Sequence, residues 1–81
     1  MTPDMVNHPP HYISDAGIES IDVIDAFTDH LVGRESNYTS NILKYVMRWK
    51  NKDGLRDLKK AKWYLERLIA HVEKTEKENE K

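Results

Sequence analysis

Asn41, Lys44 and Arg48 stand three and four residues apart. On a helix that spacing places one amide and two cations along a single strip. A phosphate is well met by such a strip: Arg supplies a planar fork, Lys a point charge, and Asn both a donor and an acceptor. Tyr45 and Trp49 lie next to it, and rings beside cations can stack a base while the cations hold its phosphate. The same three residues would also serve as a plain solvated face. Lys60 and Tyr64 join the pocket if their helix folds back antiparallel on the first, which the short Lys52-Asp53-Gly54 turn favours. Asp57 is read as an ion-pair partner of Lys60, three residues on, or of Lys52 in the turn.

Two histidines, His8 and His11, flank Pro9-Pro10. A stiff loop with two imidazoles invites a metal, but zinc needs further ligands and the chain has no Cys. The expectation is no metal site. The rings either pack within a structural loop, or His8, His11 and Tyr12 reach a phosphate or base from across a cleft. Gly17, Gly33 and Gly54 are isolated, so neither a G-x-x-x-x-G-K-[ST] phosphate loop nor a G-x-G-x-x-G turn exists. Glu19, Asp22, Asp25 and Asp29 can chelate magnesium, as acidic helices of all-α nucleotide pyrophosphatases do, or simply face water.

The elements that must position these groups are helices. The 81 residues allow one domain with a small core, so self-association is expected to help it. No apolar run approaches the roughly 20 residues of a membrane span. Met1-Thr2-Pro3-Asp4 has neither the charge nor the apolar stretch of a signal peptide. A cytoplasmic protein without membrane contact is expected. The net charge of −1 hides an asymmetry. Residues 1–42 carry one basic and seven acidic residues, a net of −6; residues 43–68 carry nine basic and three acidic, a net of +6. Residues 69–81 carry three basic and four acidic, a net of −1. The basic middle suits an anionic ligand or pairing with the acidic first part.

Residues 1–17 are expected to form an ordered, extended Pro-rich loop. Three helices follow, over about 18–31, 36–51 and 55–72, making 1–72 one domain with a polar tail at 73–81. In the first, Ile21, Ile24, Phe27 and Leu31 recur at helical spacing. Gly33 ends it, and Ser36 or Asn37 caps the second. On that second helix the apolar residues Tyr38, Ile42, Leu43, Tyr45, Val46, Met47 and Trp49 spread over roughly 200°, wider than a small core needs. Part of that surface is therefore an oligomer interface or is wrapped by residues 1–42. On the third, Leu58, Ala61, Leu65, Leu68, Ile69 and Val72 form one stripe. Arg56, Asp57, Lys60, Tyr64, Arg67 and His71 occupy the other side. The tail is a frayed helix extension or disordered.

Four strings carry a resemblance: Val6-Asn7-His8-Pro9-Pro10-His11-Tyr12, Gly17-Ile18-Glu19-Ser20-Ile21-Asp22, Asn41-Ile42-Leu43-Lys44-Tyr45-Val46-Met47-Arg48-Trp49-Lys50 and Asp57-Leu58-Lys59-Lys60-Ala61-Lys62-Trp63-Tyr64-Leu65. In this order they resemble a family of short bacteriophage and prophage proteins labelled nucleotide kinase or left as a domain of unknown function. One member phosphorylates nucleoside monophosphates without a phosphate loop. Carried over by position, the resemblance marks His8, His11, Tyr12, Asn41, Lys44, Tyr45, Arg48, Lys60 and Tyr64 as nucleotide- or phosphate-binding. Ser20 and Ser40 stand where the family often has Cys and Gly. The resemblance implies an all-α homo-oligomer that binds a nucleotide, with Mg2+ as cofactor if it transfers phosphate from ATP, in the host cytoplasm. The alternative is a non-enzymatic oligomer that sequesters a host nucleotide second messenger. A DNA-binding accessory role ranks last, because the basic block is interleaved with apolar surface and net charge is near zero.

Overall fold

The computed structural model describes residues 16–79. They form three helices, α1 (Ser20–Thr28), α2 (Gly33–Arg48) and α3 (Leu55–Asn79), with a 3-10 turn at Trp49–Asn51 between the last two. No strand occurs among the described residues, so the domain is all-α, as the sequence periodicities predict. The extended N-terminal segment expected at 1–17 lies almost wholly outside the described residues. No helix is long and apolar enough to cross a membrane.

The helix ends differ from expectation for local reasons. α1 stops at Thr28 rather than near Leu31. There the Thr28 hydroxyl donates to the Ile24 carbonyl (2.6 Å), and the Leu31 amide bonds the Thr28 carbonyl (2.9 Å). Gly33 does not separate α1 from a later start; it opens α2. Val32 before it is extended, and the positive φ of Gly33 (58°) turns the chain from that strand-like conformation into the helix. α3 runs past Val72 to Asn79, the helix-extension form of the two readings of the tail, because residues 73–79 contain no Gly or Pro and are mostly strong helix formers.

α2 and α3 pack as an antiparallel hairpin. The Gly54 amide donates to the Trp49 carbonyl (2.7 Å), and the Asp53 and Gly54 carbonyls accept from Arg56 (3.1 Å) and Leu58 (3.2 Å). The turn requires Gly54 at φ 55°, a region costly for a residue with a Cβ. An added Cβ meets nothing within 4 Å, so the penalty is conformational alone. Gly54→Ala is expected to cost about 1 kcal/mol, a fall of about 5 °C in melting temperature. An unchanged melting curve would mean the turn tolerates another backbone path.

From this turn the two helices keep step. Arg48 meets Asp57, Lys60 lies over Tyr45, Arg67 bonds Tyr38, and Arg34 and His71 share one recess. Each residue on α2 thus faces one equally far from the turn on α3. α1 packs against α2. The seam is more polar than a usual core: Tyr38 and Ala61 are its buried apolar members among the described residues, beside buried Thr28, Arg48 and Asp57.

That seam corrects the phase expected for the third helix. The Leu58–Val72 stripe was expected to be the covered face, with Asp57 and Tyr64 opposite. Ala61 of that stripe is buried and Leu58 and Leu68 are half-buried, but Asp57 is buried with them and Tyr64 meets rings of α2, while Leu65, Ile69 and Val72 are exposed. The reason is what α2 presents. Arg48 of α2 needs a counter-charge once buried and finds it in Asp57, and Tyr38 and Tyr45 meet the ring of Tyr64.

Candidate functional site

The site is built where α2 and α3 leave the turn. Arg48, in the last turn of α2, grips Asp57, in the first turn of α3. Its Nε donates to Asp57 Oδ2 (3.3 Å) and its Nη2 to Oδ1 (3.2 Å). The two side chains are 5% and 0% exposed. The Asp53 amide donates to the same Oδ2 (3.2 Å). Asp57 is therefore paired with Arg48, a partner that the sequence did not suggest; Lys60 acts on it by its charge. Burial alone would push the Asp57 carboxyl up. The hydrogen bonds from Arg48 and from the Asp53 amide, with the positive charges of Arg48 and Lys60, outweigh it and hold the carboxyl below its ordinary value.

Around this pair three cations gather on one ring. Arg48 lies 4.8 Å from the Tyr45 centroid, Lys60 5.4 Å and Lys44 5.8 Å. Each is within reach of a favourable cation–ring interaction. Tyr64 of α3 stacks on Tyr45, with centroids 5.9 Å apart and planes at 19°. Lys60 Nζ is also 3.9 Å from Asp53 Oδ2, a partly exposed contact worth little in itself.

Five of the residues marked in the sequence, Lys44, Tyr45, Arg48, Lys60 and Tyr64, thus converge on one patch contributed by two helices. Asn41 stands one turn before Tyr45 on α2, and its Nδ2 donates to the Asn37 carbonyl and to Asn37 Oδ1, both at 2.8 Å. His8, His11 and Tyr12 lie outside the described residues. No group of three or more His, Asp or Glu that could hold a metal occurs among the described residues. The α1 acids Glu19, Asp22, Asp25 and Asp29 accordingly form no such group.

Tyr64 continues the ring system toward the far end of the hairpin. It lies 6.3 Å from Tyr38, and Trp63 meets its edge at 4.9 Å. There Arg67 Nη2 donates to the Tyr38 hydroxyl (3.2 Å), with its guanidinium 5.4 Å from the Tyr38 ring and 5.0 Å from Trp63. Sequence reasoning missed this second cluster because it placed Arg67 and His71 opposite the apolar stripe and gave them no partner. The signal was present: Arg67, His71 and Lys74 recur at i, i+4 and i+7, and an antiparallel hairpin closed at Gly54 sets them across from Tyr38 and Arg34.

No curated protein and no solved structure matches the chain. Residues 6–66 match a family described as a protein of unknown function, DUF3310. That span takes in all four strings of the resemblance and most of the chain, so this protein belongs to the DUF3310 family.

Proposed function

We propose that the protein binds a nucleotide or a related phosphate compound on the Tyr45 patch. One observation carries this reading: Lys44, Arg48 and Lys60, from two helices, all lie within 6 Å of the ring of Tyr45. Phosphate groups meet Lys44 and Lys60, which differ from Arg48 in not being locked into a buried pair. The Tyr45 and Tyr64 rings offer a stacking edge for a base. Arg48 stiffens the patch and adds its charge from below. The resemblance to phage nucleotide kinases and the basic block at residues 43–68 support the same reading.

Two uses of such a site remain distinct. In phosphoryl transfer from ATP to a nucleoside monophosphate, Mg2+ would arrive bound to the nucleotide phosphates. Lys44 and Lys60 would then hold those phosphates in place. In sequestration the bound nucleotide, such as a host second messenger, is held unchanged. The arrangement of Asp57 favours holding over transfer: both of its oxygens accept hydrogen bonds from Arg48, and Oδ2 also from the Asp53 amide, which keeps this carboxylate away from an acceptor hydroxyl. A second copy of the chain, docked on the outer face of α3, completes the proposal as a homo-oligomer.

Calorimetry with a panel of nucleoside mono-, di- and triphosphates and cyclic oligonucleotides tests the binding. Saturable binding is expected, weakened about tenfold or more in Lys44→Ala/Lys60→Ala, since each lost charge-assisted contact costs over 1 kcal/mol. No heat from any nucleotide at millimolar concentration would overturn it. Chromatography after incubation with ATP, magnesium and dTMP or dGMP separates the two uses. Nucleoside diphosphate product means transfer; unchanged nucleotide means holding.

A further inference from the structure

Beyond the Tyr45 patch, on the other side of Tyr64, the hairpin forms an open recess of about 220 Å³ lined by Arg34, Tyr38, Arg67, Ala70, His71 and Lys74. Three of the six side chains carry permanent positive charge, a fourth is an imidazole, and none is acidic. Concentrating like charge round one concavity costs self-repulsion, which a bound anion relieves. Tyr38 is buried and supplies the floor.

Arg67 is the built element. One Nη2 proton is committed to the Tyr38 hydroxyl, and the guanidinium plane is held near two rings, Tyr38 and Trp63. A guanidinium has five N–H donors in a fixed fork. The hydrogen bond and the rings restrict its rotation, so less freedom is lost when the remaining donors meet an oxyanion. Arg34 reaches the recess from the first turn of α2 and Lys74 from α3, one turn beyond His71.

We infer that this recess is a second anion site, taking a phosphate or pyrophosphate group. Its charge selects the class. Three fixed positive charges reward a compact, multiply charged oxyanion more than a single carboxylate. Its size sets the extent: it is smaller than the roughly 300 Å³ at which pockets begin to enclose a drug-sized ligand, so it holds a phosphate terminus and not a whole nucleotide. The inference does not rest on nucleotide binding at Tyr45, because the two clusters share no cation.

The test is calorimetry of the full chain with pyrophosphate, inorganic phosphate and citrate at physiological salt. Pyrophosphate is expected to bind saturably and more tightly than citrate. Arg34→Ala/Lys74→Ala, at two exposed positions, is expected to weaken it at least tenfold while leaving the melting temperature unchanged. Arg67→Lys keeps the charge and loses the fork, and is also expected to weaken binding. Lys44→Ala/Lys60→Ala is expected to leave pyrophosphate binding intact, which separates this site from the Tyr45 patch. Absence of saturable pyrophosphate binding at millimolar concentration, equal affinity for citrate, or indifference to Arg34→Ala/Lys74→Ala would each overturn the inference.

Discussion

Asp57→Ala is expected to lower the melting temperature by roughly 15 °C or more, the largest effect of any single substitution in this chain. Asp57 is fully buried, and its partner Arg48 is nearly so. Removing the carboxylate takes away the counter-charge to which the buried guanidinium is hydrogen-bonded, and breaking a buried pair from one side costs far more than the pair contributed. The Asp53 amide loses its acceptor at the same time, so the turn that sets the hairpin loosens too. Arg48→Met/Asp57→Leu removes both charges and keeps the volume. It is expected to recover most of the lost stability, because neither residue is then left unpaired. Thermal denaturation of the three chains, followed by circular dichroism, decides the matter. If Asp57→Ala melts within a few degrees of the parent, the pair is not a buried keystone.

The same pair dictates how the fold responds to acid. The Asp57 carboxyl is held below its ordinary value in the folded state, so it binds protons less readily there than in the unfolded chain. Its contribution is fully present above the unfolded value of about 4. It falls away as pH drops through the lowered folded value. Stability is therefore expected to be flat in this respect from neutral pH to about 4 and to decline below it. Arg48→Met/Asp57→Leu is expected to show a shallower decline over the same acid range.

Much of the arrangement was legible from residue types, but only once two helices are considered together. The helical class follows from spacing such as Ile21-Ile24-Phe27. The hairpin follows from Asp53-Gly54, and with it the meeting of Lys44, Tyr45 and Arg48 with Lys60 and Tyr64. What single-helix periodicity cannot give is which polar residues go inside. On their own wheels Arg48 reads as part of an anion-binding strip and Asp57 as a partner of nearby lysines, because the contact that buries both lies nine positions away. With Asp57 and Tyr64 turned to α2, Leu65 and Ile69 are left exposed. The start of α2 differs for another reason: a glycine between two helical patterns reads as a stop, but the positive φ of Gly33 also suits the turn that opens a helix.

This phase of α3 leaves an apolar stripe on it whose coverage yields the second large effect. Leu65, Ile69 and Val72 stand at i, i+4 and i+7 and are 45%, 48% and 39% exposed. At about 100° per residue they fall between the face turned to α2 and an edge bearing Lys62, Glu66 and Glu73. Lys62 and Glu66 already pair along the helix at 3.7 Å. An apolar strip rimmed by both signs of charge suits a second copy of the same helix related by a two-fold axis, since each rim then offers opposite charges to the other. The small core supports this: Tyr38 and Ala61 are its buried apolar members among the described residues, too few for comfort in a domain of this size. Sedimentation of the parent protein at tens of micromolar is expected to show an oligomer. Leu65→Lys/Ile69→Lys, at positions already half in water, is expected to weaken association roughly 100-fold while keeping helicity. A monomeric parent, or a double variant that still assembles as the parent does, would place the interface elsewhere or remove it.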